Sequence, residues 1–503
     1  MRGFLFSDLL WALMLVFAAF AAYTVMPPIV NKTELAFYDF RAGFMKPEYQ
    51  TSPVIIEVNN DSSEPGSLSF DEVKKIAGIL SSGESAPALT VFTAPTGMPD
   101  DSSSKEITII KNKYEELRSR KKIKDSGSDF LRLLTSLQKS EKTEQQLATA
   151  LKKNGKYIMP VRFTAGMPKG RLNSEPEWLK KYAVKVSQGA ALSKAKAEGI
   201  SFTTQKGIIP DSAAGAGHSN VFPDIDGKLR FENPFMAYDG RLYPSLALEA
   251  FRILHDIPVK SVEFRPGREI ILGEKKIPLT PESMLPVLFS SIEPQRYSSR
   301  EIIDGSVAPE IFRGKTVFMT PAAQRITETT RGKRQQVYFL ISALNTLTGN
   351  TFISRPQWTY HIETGLILLA GIFTAFVSSM PSWTFHSLFT LLFAAVTGGS
   401  IYAFCSMNIW IKPAVPLMCL AAGYLFGVLK RFSLRYELKQ HRIQYSNRPP
   451  PPPAAAGKVQ SGADRRRKPA AALAPTVPVN VQELPETIKN ALEKNAASAE
   501  CEK

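Results

Sequence analysis

The sequence predicts a mixed α/β domain that lies between membrane-spanning helices, one before it and three after it. Residues 9–30, 364–411 and 413–429 contain no Asp, Glu, Lys or Arg. Between the first and second of these stretches, strand-like and helix-like segments alternate along the chain. Alternation of this kind is typical of a partly parallel sheet flanked by helices. The chain has 503 residues, which is enough for such a domain as well as for the spans.

Four segments have the length and the apolar character of transmembrane helices. About 20 apolar residues cross the hydrocarbon of a bilayer, and a charge at its centre is strongly disfavoured. We therefore predict an anchor over residues 9–30 and further spans over 362–380, 383–405 and 412–430. A cleaved signal peptide is the alternative for the first segment. Its weakly basic start and its bulky Phe17, Phe20 and Tyr23 favour an uncleaved anchor.

Basic residues at the end of the last predicted span set the expected orientation. They are Lys430, Arg431, Arg435, Lys439 and Arg442. Short Lys/Arg clusters stay on the cytoplasmic side, so both termini, including residues 1–8, are expected in the cytoplasm. The domain over 33–357 would then lie on the outer side of the membrane. The net charge of +16 is more simply explained by contact with membrane lipid than with nucleic acid, for which no motif is present.

The predicted domain reads as alternating strands and helices interrupted by a charged insertion over residues 100–140. Because the domain contains no cysteine, a packed core must stabilise it without disulfides. The predicted strands are Pro53–Val58, Ala88–Thr93, Tyr157–Val161, Arg268–Leu272 and Lys315–Met319. The predicted helices follow the capping boxes that begin at Ser69 and Thr143, or cover Leu246–Phe251 and Val337–Thr348.

The order of several short motifs resembles the CHASE2 family of extracytoplasmic sensor domains. The motifs are YDFR (38–41), VIIEVNNDSS (54–63), GHSNVFPDIDGKLR (217–230), PSLALEAF (244–251), FRGKTVFM (312–319) and ALNTLTGNTFISRP (343–356). The resemblance implies a sensor that detects a ligand. It makes Asp61, Asp224, Asp226 and Arg230 candidate ligand-binding residues, and it makes Asp39 and Arg41 candidates for signal relay.

The same residues also allow plainer interpretations. Asp224, Asp226 and Gly227 suit a polar turn that Arg230 pins by pairing with one carboxylate, and they lack the ligand spacing of a calcium loop. Asp39 and Arg41 are expected to bond each other or the base of the domain. We predict no metal site and no cofactor, because the His and Cys residues are not at ligand spacing.

The ionisable residues at the membrane boundaries are predicted to stay wet. They are His361, Glu363 and His386. No polar pathway crosses the spans, so transport is not expected.

The C-terminal residues predict a docking segment rather than an enzyme. Residues 431–447 suit a basic helix, and residues 448–480 suit a disordered Pro/Ala-rich linker. In the tail over 481–503, Leu484, Ile488 and Leu492 form one apolar face of a short helix. A frayed solubilising tail is the alternative. A catalytic output domain needs more patterned sequence than these residues supply.

These observations favour a membrane receptor without catalytic activity. It would detect a small molecule or an envelope state and relay it to a cytoplasmic effector protein or through a homo-oligomer. The alternative is a scaffold that anchors a complex. Thr320–Ala323 stands where the family has a Gly-rich turn, and Tyr338–Ile341 stands where it often has a His. Both departures favour the scaffold.

Overall fold

The computed structural model describes two compact units. It covers residues 2–48, 52–60, 66–81, 85–97, 110, 112–117, 144–153, 155–166, 175–184, 198–205, 209–290, 292–349 and 351–446. One unit comprises the described parts of Met1–Val30, Tyr360–Gly399 and Lys412–Lys503. The other, which we call the α/β unit, comprises those of Asn31–Thr359 and Ser400–Ile411.

The helices occur in both units. In chain order they are α1 (Arg2–Val25), α2 (Pro28–Ala42), α3 (Phe70–Leu80), α4 (112–117), α5 (144–153), α6 (Glu177–Lys180), α7 (Leu246–Leu254), α8 (Ser299–Ile303), α9 (Gln336–Thr348), α10 (Trp358–Val377), α11 (Ser382–Ser406) and α12 (Ala414–Ser446).

The strands of the described residues all belong to the α/β unit. They are β1 (Pro53–Val58), β2 (Leu89–Phe92), β3 (Lys156–Ala165), β4 (Gly199–Thr204), β5 (Gly215–His218), β6 (Lys228–Leu229), β7 (Phe231–Glu232), β8 (Phe235–Tyr238), β9 (Arg241–Pro244), β10 (Val262–Arg265), β11 (Glu269–Leu272), β12 (Lys275–Pro278), β13 (Leu285–Pro286), β14 (Gln295–Ser298), β15 (Thr316–Pro321), β16 (Ile326–Thr329) and β17 (Gly332–Gln335).

The main sheet confirms the predicted partly parallel architecture. Its strand order is β14-β1-β15-β2-β3-β4, and β5 also pairs with β3. All of these pairs are parallel except β3 with β4. Smaller antiparallel pairings, such as the β10–β11–β12 meander and the β8–β9 hairpin, complete the unit.

The main sheet is covered on both faces, as expected for parallel strands. Alternate residues of β1 point to opposite sides, so Val54 and Ile56 pack in one cluster and Ile55 packs in another. The first cluster includes side chains from α3 and α5, and the second includes side chains from α7 and α9. The central strands therefore consist of short apolar runs rather than alternating patterns.

One predicted helix start is correct, but its capping chemistry is not. Helix α3 begins at Phe70 as expected, yet the Ser69 side chain makes no capping hydrogen bond. Glu72 is used elsewhere, because its carboxylate accepts hydrogen bonds from the backbone and side-chain nitrogens of Asn59. A capping box does form between Ser298, the N-cap of α8, and Glu301 in its first turn, and the sequence analysis did not predict this helix.

The four predicted spans are confirmed as helices long and apolar enough to cross a membrane. The candidate spanning helices are Asp8–Val25, Trp358–Val377, Ser382–Ser406 and Ala414–Gln444. Glycines permit these candidate spanning helices to pack closely against one another. A methyl group on Gly423 would lie 2.2 Å from the hydroxyl of Thr374, and one on Gly371 would lie 2.1 Å from Val16.

Candidate functional site

A tight turn before β7 places two of the predicted ligand-binding residues beside a third. The backbone nitrogen of Asp224 donates to the Lys228 carbonyl at 2.9 Å, and that of Gly227 donates to the Asp224 carbonyl at 2.9 Å. Gly227 has φ +86°, a conformation that favours glycine. The turn directs Asp224 and Asp226 toward Arg230, which is fully buried.

Arg230 is saturated by carboxylates of its own chain. Its Nη1 donates to Asp224 Oδ2 at 3.1 Å and to Asp226 Oδ1 at 2.8 Å. Its Nη2 donates to Asp226 Oδ2 at 2.6 Å and to Asp39 Oδ2 at 2.8 Å. Its Nε donates to Asp39 Oδ1 at 2.6 Å. A guanidinium has five N–H donors, so none remains for another partner.

Asp39 brings helix α2 into this group of charges. Besides Arg230, it accepts a hydrogen bond from Lys228 Nζ at 2.9 Å. We call Asp39, Asp224, Asp226, Lys228 and Arg230 the Arg230 cluster. The predicted pairing of Arg230 with its turn is present, and the structure adds α2 as a second element held by the same guanidinium.

The pKa shifts in the Arg230 cluster favour the charged forms. The hydrogen bond from Arg230 lowers the pKa of Asp226. Burial opposes the charge on Arg230, but hydrogen bonds to Asp226 and Asp39 outweigh it and raise the pKa of Arg230. Three carboxylates and two cations give this cluster a formal charge of −1, because −3 and +2 sum to that value. Asp226 and Arg230 therefore form an ion pair at neutral pH.

Arg41 points away from Asp39, which corrects the expected pairing between the two. Its Nη2 donates to Glu34 Oε1 at 2.9 Å, and its Nη1 donates to the Ile411 carbonyl at 2.7 Å. Residues two apart on a helix do not face each other. The alternative expectation, bonding to the body of the domain, is the arrangement seen for Asp39.

The face of α2 that carries Arg41 also carries an aromatic group. Tyr38 packs edge-on against Phe404 and Trp410, with ring centroids 5.1 Å apart in both cases. Trp410 Nε1 donates to Glu34 Oε1 at 2.9 Å. Helix α2 therefore holds the Arg230 cluster with Asp39, and it holds the 404–411 segment with Glu34, Tyr38 and Arg41.

Sequence reasoning missed Glu34, Lys228 and Trp410. Glu34, Tyr38 and Arg41 have the i, i+4, i+7 spacing of one helix face, so that face could have been recognised. Trp410 had no comparable signal, because it is far from α2 in the chain. Two sets of predicted site residues lie outside the described residues: Asp61, and the docking residues Leu484, Ile488 and Leu492. The ligand-binding and relay roles of the predicted site residues stay predictions.

A second polar group is buried between β5, β7 and the start of α7. His218 pairs by a β-bridge with Ser245, the N-cap of α7. Both ring nitrogens of His218 and one carboxylate oxygen of Glu232 have no hydrogen-bond partner among the described residues. Burial lowers the pKa of His218 to about 3 and raises that of Glu232 to about 7. His218 is therefore uncharged at neutral pH, and Glu232 stays protonated well above the pH at which an exposed carboxyl ionises.

The expectation that Glu363 stays wet is wrong. Its side chain is fully buried. It accepts hydrogen bonds from the Tyr23 hydroxyl and, at 2.7 Å, from the Lys412 backbone nitrogen. His361 and His386 have exposed side chains, and their contact with water stays a prediction. In the same unit, Asp8 is buried and bonds Lys430 Nζ at 2.5 Å and Ser378 Oγ at 2.8 Å. Carboxylates thus tie α1 to both α10 and α12.

Comparison with known proteins identifies one family. The model of the CHASE2 domain matches residues 12–379, which include α1 from Ala12 onward, the α/β segment that follows it and α10. No curated protein and no solved structure matches the chain.

Proposed function

The chain belongs to the CHASE2 family of sensor domains, and on that premise we propose that it is a receptor of the bacterial envelope that detects a ligand or an envelope state. The four apolar helices support a membrane location. Under this proposal the domain lies outside the inner membrane and both termini lie in the cytoplasm. The basic residues of α12, which begin at Lys430, support that orientation.

The observation that carries the proposal is the double attachment of α2. Asp39 joins this helix to the Arg230 cluster, and Arg41 joins it to the Ile411 backbone. In the chain, α2 follows the first span after Met26 and Pro27. A stimulus that shifts the turn at Asp224–Arg230 would loosen Asp39 and so move α2. We assign Asp39 and Arg41 to signal relay on this basis.

The Arg230 cluster suits a relay better than a ligand pocket, because all five guanidinium donors are engaged. Asp224 and Asp226 keep partial exposure, at 16% and 22% of the side chain. A cationic ligand that competes for these carboxylates would release Arg230 and weaken the hold on α2. Asp61 would belong to the same ligand site only if its loop approaches this turn.

The output of the receptor is proposed to be a separate cytoplasmic effector. We assign no catalytic activity to the chain. The apolar face formed by Leu484, Ile488 and Leu492 would dock on the effector as a short helix. Cross-linking and mass spectrometry on membranes test this docking. The experiment compares cells that express the full chain with cells that express a form without residues 479–503. Loss of a specific cross-linked protein supports docking, and an unchanged set of partners contradicts it.

A scaffold without a sensing role is the second candidate. The saturation of Arg230 favours it, because a side chain with every N–H donor engaged can serve as a fixed structural link between the turn and α2. The Thr320–Pro321 stretch also supports it, because this end of β15 is buried where the family has a flexible Gly-rich turn.

A ligand screen separates the sensor from the scaffold. The full chain in detergent is the right material, because the Tyr38 ring packs on Phe404 and Trp410, and a domain cut at residue 357 would expose it. A sensor shows saturable thermal stabilisation by one small molecule, and Asp224→Asn with Asp226→Asn reduces that shift. A scaffold shows no ligand-dependent shift and instead co-purifies with one partner. Asp304→Asn, an exposed residue away from the Arg230 cluster, is the matched control.

A further inference from the structure

Helix α12 carries one continuous exposed stripe with coiled-coil spacing. The stripe consists of Leu425, Leu429, Phe432, Tyr436, Lys439 and Ile443, and all six are exposed. Their separations alternate between four and three residues, which is the a/d pattern of a left-handed coiled coil. Met418 and Ala422 are exposed too and continue the same pattern toward the start of the helix. We call the six residues the outer stripe.

The second half of the outer stripe lies beyond the charge-free part of α12. The apolar part of α12 ends at Leu429, and Lys430 and Arg431 follow it. Phe432 and Tyr436 lie beyond these charges, and their side chains are 71% and 59% exposed. Ile443 lies 14 residues after Leu429 (443 − 429), or about 21 Å along the helix, which is farther than the interfacial layer of a bilayer extends. A regular row of large apolar side chains that continues to this point suits a protein partner. The same row runs back into the apolar segment without a change of register, so one partner helix covers both halves.

The opposite side of α12 is already occupied by its own chain. Phe426 contacts Trp11 of α1, with ring centroids 5.4 Å apart, and Lys430 bonds Asp8. Gly427 is packed against Phe385 of α11. None of these positions belongs to the outer stripe. The stripe is therefore the free side of a helix whose inner side is fixed.

We propose that the outer stripe binds the outer stripe of a second copy of this chain, so that two α12 helices form a parallel coiled coil. Two copies inserted in one membrane point in the same direction, so identical stripes meet in register about a two-fold axis. The flanking charges permit this arrangement. In a parallel coiled coil, a residue that flanks the seam lies beside the residue five positions further along the partner helix. Arg435 of one copy would therefore lie beside Gln440 of the other. The other flanking pairs with this spacing in the described part of α12 also contain no like charges.

Lys439 is the one charged residue of the outer stripe. A Lys at a core position of a coiled coil lowers its stability and limits the number of strands and the register. Its long stem permits the ammonium group to reach water at the edge of the seam. The dimer is therefore expected to be reversible, and the residue supplies a direct test. This inference goes beyond the proposed function and does not depend on it, since a sensor and a scaffold would both carry the same stripe.

Cysteine cross-linking in native membranes tests the geometry. Single cysteines replace Phe432, Tyr436 or Ile443 in a full chain with Cys405→Ala, Cys419→Ala and Cys501→Ser. The matched controls are Glu437→Cys and Gln444→Cys, exposed positions on the same helix outside the outer stripe. The proposal expects disulfide-linked dimers of twice the chain mass at the stripe positions, at least ~10-fold more abundant than at the controls. Equal cross-linking at both sets, or none at the stripe, overturns it.

A second pair of variants tests the energetics with the native cysteines in place. Lys439→Leu removes the charge from the seam, and Glu437→Leu adds the same side chain outside it. Single-molecule photobleaching in lipid gives the dimer dissociation constant of each. Lys439→Leu is expected to tighten the dimer about tenfold while Glu437→Leu leaves it unchanged. Equal effects of the two variants would show that general hydrophobicity, and not the stripe, drives association. Neither of these two tests measures ligand binding. A negative result would therefore contradict the dimer without affecting the proposed function, which the ligand screen tests.

Discussion

Arg230 shows how a single buried side chain can define a connection between distant parts of a chain. An uncompensated buried charge is strongly unfavourable. Five hydrogen bonds that Arg230 donates to three carboxylates offset that cost, and two of them go to Asp39 on α2. The geometry is specific, because Nε and Nη2 of Arg230 each donate to a different oxygen of Asp39.

Removing the charge of Asp39 is therefore expected to destabilise the chain. Asp39→Asn replaces one carboxylate oxygen by an N–H₂ donor that faces Arg230, so one charged hydrogen bond is lost and a donor opposes a donor. We expect a loss of about 1–3 kcal/mol in unfolding free energy. Thermal unfolding of the purified full chain in detergent measures the loss. Asp304→Asn, on an exposed helix end, should change the stability by less than about 0.5 kcal/mol.

His218 and Glu232 give opposite pH dependences. The folded pKa of His218, about 3, lies below its ordinary 6.5. The unfolded chain thus binds the proton more readily, and this group lowers stability as pH falls from 6.5 toward 3. The folded pKa of Glu232, about 7, lies above its ordinary 4.5. Its contribution is complete below pH 4.5 and is lost as pH rises through 7.

The two variants at these sites should therefore tilt the pH profile in opposite directions. Melting temperatures of the full chain across pH 4.5 to 6.5, the interval between the ordinary pKa values, are the measurement. The melting temperature of His218→Gln, compared with that of the wild type at each pH, should fall as pH rises. The melting temperature of Glu232→Gln, compared in the same way, should rise as pH rises. Parallel profiles for the two variants would contradict the burial of either group.

At the scale of elements, close packing of α7 on β5 explains two glycines in the GAGH segment. A methyl group on Gly217 would lie 2.8 Å from the Leu246 backbone nitrogen and from the Ser245 carbonyl oxygen. Neither is the end of a flexible side chain, so the helix itself would have to shift. Gly215 faces Glu249 and Ile253 of the same helix. The segment is therefore a packing surface for α7.

Alanine at two glycines should have effects of opposite sign. Gly217→Ala forces α7 away from the sheet and should cost about 1–3 kcal/mol of unfolding free energy. Gly78→Ala meets no atom within 4 Å and lies inside α3. It should stabilise the chain by about 0.5–1 kcal/mol, because alanine favours helix more than glycine does. Denaturant or thermal melts of both variants decide the matter, and destabilisation by Gly78→Ala would contradict the described packing of α3.

At the scale of the whole molecule, the proposed layout places the domain and the C-terminus on opposite sides of a membrane. Labelling with a membrane-impermeant thiol reagent tests it. Glu282→Cys, at an exposed position of the domain, is made in a chain without the three native cysteines. It should be labelled in intact spheroplasts. A chain that keeps only Cys501 should be labelled only after permeabilisation. Labelling of Cys501 from outside would reverse the orientation and remove the basis for a cytoplasmic effector.

The sequence by itself determined the spans, the main strands and the family. Charge-free stretches define spans because a charge in hydrocarbon is so unfavourable. The buried strands are recognisable because a sheet covered on both faces leaves short runs of apolar residues, such as Pro53–Val58. The pairing of Arg230 with its turn was also predictable, since the partners are four and six residues apart.

Only the tertiary structure decided which distant partners these residues meet. Arg41 bonds Glu34 and Ile411 instead of Asp39, and Glu363 is buried beneath Tyr23 instead of wet. Asp39 could be recognised as polar and close to a span, but its partner Arg230 lies 191 residues away. Local patterns record which way a side chain faces on its own helix or strand. The partner across a long chain separation depends on how those elements pack, which is a property of the assembled fold.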